Sequence, residues 1–256
     1  MNKKYDDEIG ELCDTVNYMA SKLSESEKLK NDFISSVSHE LRTPLTAIKG
    51  WAETIQLSDE KDDEMNQKGL EIIVHEAERL CGIVEELLDF SRMQSGRMIL
   101  SFDKIDILAE IGEAVYMFKD RAKNEEKTLN FTEPEILSPV MGDKNRLRQV
   151  FVNIIDNALK YTPKGGVVSV NAKEDNGNIL ITVRDTGCGI PKEHLPHVME
   201  KFYKANTTQK GSGIGLAVAN EIISLHSGTL SISSEDQAGT TATISIPAIE
   251  VQNDVG

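Results

Sequence analysis

Phe33-Ile34-Ser35-Ser36-Val37-Ser38-His39-Glu40-Leu41-Arg42-Thr43-Pro44-Leu45 is the stretch whose periodicity decides the first half of the fold. Ile34, Val37 and Leu41 stand at alternating three- and four-residue steps, and Pro44, Ile48, Trp51 and Ile55 continue them. That is the seam of a helix packing on other helices. Upstream, Ile9, Leu12, Val16, Met19 and Leu23 form an earlier seam. The step from Leu23 to Ile34 is a heptad plus four residues, an insertion that changes local winding. Pro44 lacks an N–H and crowds the carbonyl four residues back, so the pattern predicts a kink and not a stop. The acidic run Ser58–Glu64 reads as a turn, after which Leu70, Ile73, Ala77, Leu80, Val84 and Leu87 resume the rhythm. Residues 25–95 are therefore expected to form an antiparallel helical hairpin. A lone hairpin cannot enclose so long a seam, and a homodimer forming a four-helix bundle would.

The chain has 256 residues, enough for two folding units, with 39% hydrophobic and 27% charged residues. Its formal net charge of -14 argues against nucleic-acid binding, which needs clustered Lys and Arg. Cys13, Cys81 and Cys188 are far apart and form no C-x-x-C pair, so neither a disulfide framework nor a zinc site is suggested. No apolar run approaches the roughly 18 to 20 residues of a membrane helix, and no secretory signal opens the chain.

After Ser95-Gly96 the periodicity changes. From Ser101 onward helical segments alternate with strand-like runs at Val167–Val170, Ile179–Val183, Thr229–Ser233 and Thr241–Ile246, so residues 101–249 are expected to be a separate α+β domain. Asp175-Asn176-Gly177 is a hairpin signal.

With Ile34, Val37 and Leu41 on the seam, His39 falls on the solvent side of its helix. An exposed histidine alone is commonplace, but Glu40 beside it can accept a proton as the other ring nitrogen attacks phosphorus. Thr43, one turn along, can orient a water near the same nitrogen. In Asp143–Tyr161, Leu147, Val150, Phe151, Ile154 and Ala158 share one helix face, and Arg146, Asn153, Asn157 and Lys160 form a polar stripe beside it. Amide oxygens suit Mg²⁺ and a lysine suits phosphate. Asp185-Thr186-Gly187-Cys188-Gly189-Ile190 follows a strand, and its glycines allow a tight turn against a flat ligand, with Asp185 able to accept from an adenine amino group. Gly211, Gly213 and Gly215 precede the helical segment Leu216–Leu225, whose first N–H groups favour phosphate. A D-x-G-x-G turn or a G-x-G-x-G run alone would be a weak signal.

The run Phe33–Leu45 closely resembles the H-box of sensor histidine kinases of two-component systems. The asparagine helix, the D-x-G-x-G turn, Phe202-Tyr203 and the run Gly211-Ser212-Gly213-Ile214-Gly215-Leu216 resemble, in the family's order, the N, G1, F and G2 boxes of its catalytic domain. The resemblance implies a dimeric four-helix bundle followed by an α+β two-layer sandwich of the histidine kinase/gyrase type. It implies that ATP with Mg²⁺ phosphorylates His39, assisted by Glu40, and that the phosphoryl group passes to an aspartate of a response regulator receiver domain. Thr43 would help dephosphorylate that partner. Asn157 would ligate Mg²⁺, Asn153 would lie near the phosphates, Lys160 would contact phosphate, Tyr161 would cover the base and Asp185 would read adenine in the turn made by Gly187 and Gly189. Gly211, Gly213 and Gly215 would hinge a lid, Thr240 would lie near Asp185, and Lys204 stands where the family often has arginine. Asp7-Glu8-Ile9-Gly10-Glu11-Leu12 resembles the second helix of a HAMP linker, so residues 1–24 are expected to be part of that module. That makes the chain the expected cytoplasmic portion of a sensor anchored in the inner or cytoplasmic membrane by a preceding segment. A dimeric nucleotide-sensing scaffold without autokinase activity is the alternative.

Overall fold

The computed structural model describes residues 8–57, 63–134, 136–205 and 213–249, which divide into two compact units. The first holds α1 (Glu8–Leu57) and α2 (Asp63–Gln94) as far as Glu85. α1 is one continuous helix of 50 residues that runs through Pro44 without stopping. Residues 58–62 of the expected turn lie outside the described residues, and Asp63 and Glu64 already belong to the first turn of α2. A Cβ added to Gly69 would lie 2.9 Å from the Trp51 ring and 3.0 Å from Ile55 Cδ1, so α2 starts in close contact with the end of α1. Val37 and Pro44 are buried on α1, and Ile83 on α2. Much of the apolar seam stays uncovered within one chain: Leu23 is 64% exposed, and Ile9, Leu12, Met19, Ile34, Leu70 and Val84 are exposed as well.

The second unit takes the last nine residues of α2, Glu86–Gln94, together with the described residues that follow, apart from Gly213. Its main sheet has five strands, β2 (Thr128–Thr132), β4 (Val167–Asp175), β5 (Asn178–Asp185), β7 (Gly239–Pro247) and β6 (Thr229–Glu235), in that spatial order. β2 and β4 are parallel and the other neighbours antiparallel. β1 (Asp103–Ile105) and β3 (Val140–Gly142) form a separate two-stranded ribbon. Helices α3 (Ile107–Asn124), α4 (Lys144–Tyr161) and α5 (Gly215–Leu225) pack beside one another against the sheet.

The alternation along the strands explains this layering. Val168, Val170, Ile179, Ile181, Val183, Ile244 and Ile246 are buried. They alternate with half-buried or exposed residues on the opposite face, the period-two pattern of a sheet with one covered side. Against them α4 lays Leu147, Val150, Phe151, Ile154, Ile155, Ala158 and Leu159, all buried, where the sequence pattern placed five of the seven. The expected hairpin at Asp175–Gly177 is present, with Asn176 and Gly177 at φ 50° and 73°. Two consecutive left-handed residues are what a two-residue hairpin turn requires, because they match the twist of the flanking strands. The short strands β1, β2 and β3 carry no such punctuation.

Candidate functional site

On α1, His39 is exposed and Glu40 half-buried, which agrees with the solvent-side placement read from the seam. Thr43 is exposed, and its hydroxyl donates to the His39 carbonyl at 3.1 Å. That bond occupies its proton and leaves oxygen lone pairs one turn from the imidazole, able to accept from a water.

In the second unit α4 is fixed at its start by Asp143, whose Oδ1 accepts from the Asn145 and Arg146 N–H groups at 3.0 and 3.1 Å. Against the penalty of burial, N–H donation from Ser101, Arg146 and Asn145 holds the Asp143 carboxyl below its ordinary range. The Asp143 N–H donates in turn to Nε2 of buried His226 at 2.9 Å, and His226 Nδ1 lies 2.7 Å from the Ile222 carbonyl. The cap of α4 is thereby tied to the end of α5.

Further along α4, half-buried Asn153 donates through Nδ2 to the Gly215 carbonyl at 3.3 Å, joining the middle of α4 to the first residue of α5. Asn157, one turn later, is half-buried, and its side chain makes no hydrogen bond among the described residues. Lys160 Nζ lies 5.2 Å from the centroid of the Tyr161 ring. Burial first, and then Cys188 and Asp156, push the Tyr161 hydroxyl above its ordinary range. Arg146, read as part of the same stripe, is committed elsewhere: it contacts Asp89 at 2.7 Å and Gln149 at 2.9 Å, away from the asparagines.

Asp185 ends β5 and is 5% exposed. Its Oδ1 accepts from the Gly187 N–H at 2.7 Å and the Thr240 N–H at 3.2 Å. The other carboxylate oxygen makes no hydrogen bond among the described residues. Desolvation raises the carboxyl's pKa, and the two backbone donors only partly oppose it. The turn after it is clasped by the β6–β7 hairpin. Gln237 N–H donates to the Cys188 carbonyl at 2.7 Å, and Ile190 N–H donates to Ser234 Oγ at 2.8 Å. Ser234 in turn bonds the Gly239 carbonyl and the Thr240 hydroxyl. Gly189 at φ 69° and Gly239 at φ 90° make the clasp possible: a Cβ on either would come within 2.0 Å of the Glu235 oxygen or 2.1 Å of the Asp185 oxygen.

Asp185, Gly187, Gly189 and Thr240 thus meet directly, Tyr161 lies against Gly187 through its carbonyl, and Asn153 meets Gly215. Gly213 has φ 70° and half-buried Leu216 follows Gly215 on α5. Lys204 is half-buried, and Gly211 lies outside the described residues. Reading the sequence missed Ser234, whose neighbours Ser231 and Ser233 differ from it in no visible way, and Asp89, a buried acid inside an otherwise ordinary acidic helix.

Comparison with known proteins accounts for both units. Residues 142–250 match the family of histidine kinase-, DNA gyrase B- and HSP90-like ATPases, so the second unit carries an ATP-binding domain. Residues 29–96 match the His Kinase A phospho-acceptor domain. The chain belongs to the sensor histidine kinases of two-component systems. It is 34% identical to the sensor histidine kinase YclK of Bacillus subtilis over 96% of this chain and 54% of that protein. With BaeS of Escherichia coli it shares 29% identity over 94% of this chain and 52% of that protein. It spans about half the length of the curated relatives it matches. Among solved structures, Acinetobacter baumannii histidine kinase AdeS is 27% identical with a TM-score of 0.59, covering 82% of this chain and 98% of that one. Histidine kinase ThkA, solved in complex with the response regulator protein TrrA, shares the fold at 24% identity and a TM-score of 0.61, over 89% of this chain and 66% of that one.

Gly239→Ala should destabilise the second unit by at least about 1–3 kcal/mol from the left-handed backbone alone. Urea unfolding followed by circular dichroism would show it, and an unchanged midpoint would mean that the clasp over Asp185 does not depend on this glycine.

Proposed function

We propose that the chain is the catalytic portion of a sensor kinase that uses Mg-ATP to phosphorylate its own His39 and passes the phosphoryl group to an aspartate of a response regulator receiver domain. The observation that carries this reading is the coexistence, in one chain of this family, of an exposed His39–Glu40 pair on a helix and a buried, half-satisfied Asp185 in an ATP-binding domain.

Asp185 accepts the adenine amino group on its second oxygen, and Tyr161 covers the base. Asn153 and Lys160 lie along the phosphates, with Lys204, Gly213, Gly215 and Leu216 bordering them. Asn157 supplies an amide oxygen to Mg²⁺, an arrangement that suits an ion usually held by one or two protein oxygens plus phosphates and waters. Bound Mg²⁺ neutralises charge on the phosphates, while the protein's part is position and electrostatics. At the acceptor, Glu40 takes up the imidazole proton while the opposite ring nitrogen forms the N–P bond and ADP leaves. Thr43 orients a water for the reverse task, dephosphorylation of the regulator.

The exposed seam of α1 and α2 supports a homodimer through residues 25–95, residues 1–24 act as the signal-transmitting end of a HAMP linker, and residues 101–249 form the catalytic domain. Among the described residues no helix is long and apolar enough to cross a membrane. Anchoring of the parent protein through a segment outside this sequence, with this portion in the cytoplasm, is supported by the sensor-kinase relatives.

Incubation with Mg²⁺ and γ-labelled ATP should give label that survives alkali, is lost in acid and is absent from His39→Ala; no label on a folded, ATP-binding dimer would promote the nucleotide-sensing scaffold. Thr43→Ala should slow dephosphorylation of the phosphorylated regulator by about 10²-fold while autophosphorylation persists; equal loss of both activities would count against the water-orienting role. The Asp185 pKa is raised from an ordinary 3.8, so its contribution to stability is greatest below that value and is lost as pH rises through the folded value. Adenine needs the opposite, ionised form, so ATP affinity should begin to fall on acidification while the pH is still above the ordinary carboxylate range. In Asp185→Asn the affinity should be weak and flat across that window, because an amide donor faces the adenine amino group; an identical pH profile in both proteins would remove Asp185 from adenine recognition.

A further inference from the structure

Between the glycine turn and Lys204, the segment from Pro191 to Tyr203 folds on itself around a short 3-10 turn, Leu195–His197. The His197 N–H donates to the His194 carbonyl at 2.9 Å, the Glu200 N–H to the His197 carbonyl at 2.8 Å, and the Tyr203 N–H to the Glu200 carbonyl at 3.3 Å. Two histidines converge on Tyr203. His194 Nδ1 lies 2.6 Å from its hydroxyl, and the His197 ring lies 5.4 Å away at 37° to it, with His197 Nδ1 2.9 Å from a Glu200 carboxylate oxygen.

The residue before Tyr203 explains what such a brace is for. Phe202 has φ 70°, the left-handed region. That conformation is costly for an L-residue and persists where surroundings hold it on more than one side. One hold is the Phe90 ring of α2, which meets Phe202 edge-on at 4.9 Å within the same unit. The other is the His194–Tyr203 bond. Desolvation, then Glu200 and Glu193, push the Tyr203 hydroxyl above its ordinary 10.0, so it stays protonated and can donate. The Glu193 carboxylate lies 3.7 Å from the other ring nitrogen, His194 Nε2.

We infer that His194 is a positioning residue for Lys204: by holding the Tyr203 hydroxyl, it fixes the backbone from left-handed Phe202 into Lys204 and so aims the lysine at the nucleotide phosphates. This rests on the reading of Lys204 as a phosphate contact.

The experiment compares the full chain with His194→Phe, His194→Asn, Lys204→Met and the His194→Phe/Lys204→Met double variant, measuring ATP and AMP affinities by competition against a fluorescent nucleotide. His194→Phe should weaken ATP about five- to tenfold and AMP less than twofold, since loss of one hydrogen bond acts only through the lysine and the outer phosphates. His194→Asn should recover most of the ATP affinity, because its amide oxygen can take the place of Nδ1. In the Lys204→Met background, His194→Phe should cost nothing more. Equal weakening of ATP and AMP, or additive losses in the double variant, would overturn the positioning role in favour of a general structural one. An ATP affinity unchanged by His194→Phe but lowered by Lys204→Met would also overturn it. An ATP affinity unchanged by Lys204→Met would instead sink the assignment of the lysine, a failure visible before His194 is considered.

Discussion

A carboxylate held in a nearly dry turn is the constraint around which the nucleotide-binding unit is organised. Asp185 gives one oxygen to two backbone N–H groups from different parts of the chain, Gly187 just beyond it and Thr240 on β7. An ionised group with little solvent needs its lone pairs satisfied, or it raises its pKa, and here both happen in part. The cost is tolerable because the second oxygen is left for a donor, which is the usual reason a protein keeps a desolvated charge in a cleft. The close approach of the β6–β7 hairpin, the two positive-φ glycines and the Ser234 relay all follow from bringing Thr240 within reach of that carboxylate.

Helix α4 is the second organiser, and it works by dividing its faces. One face is all core, from Leu147 to Leu159, and fixes the helix against the sheet at roughly 1.5–3 kcal/mol for each fully buried aliphatic or aromatic side chain. The bordering stripe is split by function. Its first member, Arg146, joins Gln149 in holding buried Asp89 at the end of α2, whereas Asn153, one turn beyond Gln149, meets Gly215 of α5, and Asn157, two turns beyond it, is half-buried. The Asp143 cap and His226 set the helix's starting point, so each polar residue's axial position is decided by a hydrogen-bond chain that begins on α5. A cap, a core stripe and a tether to the neighbouring helix together fix where the two asparagines stand along α4.

The helical hairpin has a different economy. Val37, Pro44 and Ile83 are buried, and a long line of Ile, Leu, Val and Met side chains remains uncovered in a single chain. Exposed apolar surface of that extent marks an interaction face. His39, on the other side of α1, is exposed to solvent, which a core position would not allow.

Much of this was legible in the residues. The helical seams, the solvent side of His39, the buried face of α4, the Asn176-Gly177 turn and the glycine turn after Asp185 all follow from local periodicity and from backbone conformations that few residues tolerate, and such signals lie within a few positions along the chain. The short strands β1, β2 and β3, the commitment of Arg146 to Asp89, the tie from Asn153 to Gly215 and the clasp of Ser234 over the turn were not, and the meeting of Thr240 with Asp185 was implied only by the family resemblance. Each depends on partners roughly 30 to 60 positions away, whose meeting is chosen by the packing of helices on a sheet and not by any residue's own preference. The sequence by itself determined which residues could do chemistry and which backbone shapes were allowed; the tertiary structure decided which of them meet, because only the closed core brings distant donors to a buried acceptor.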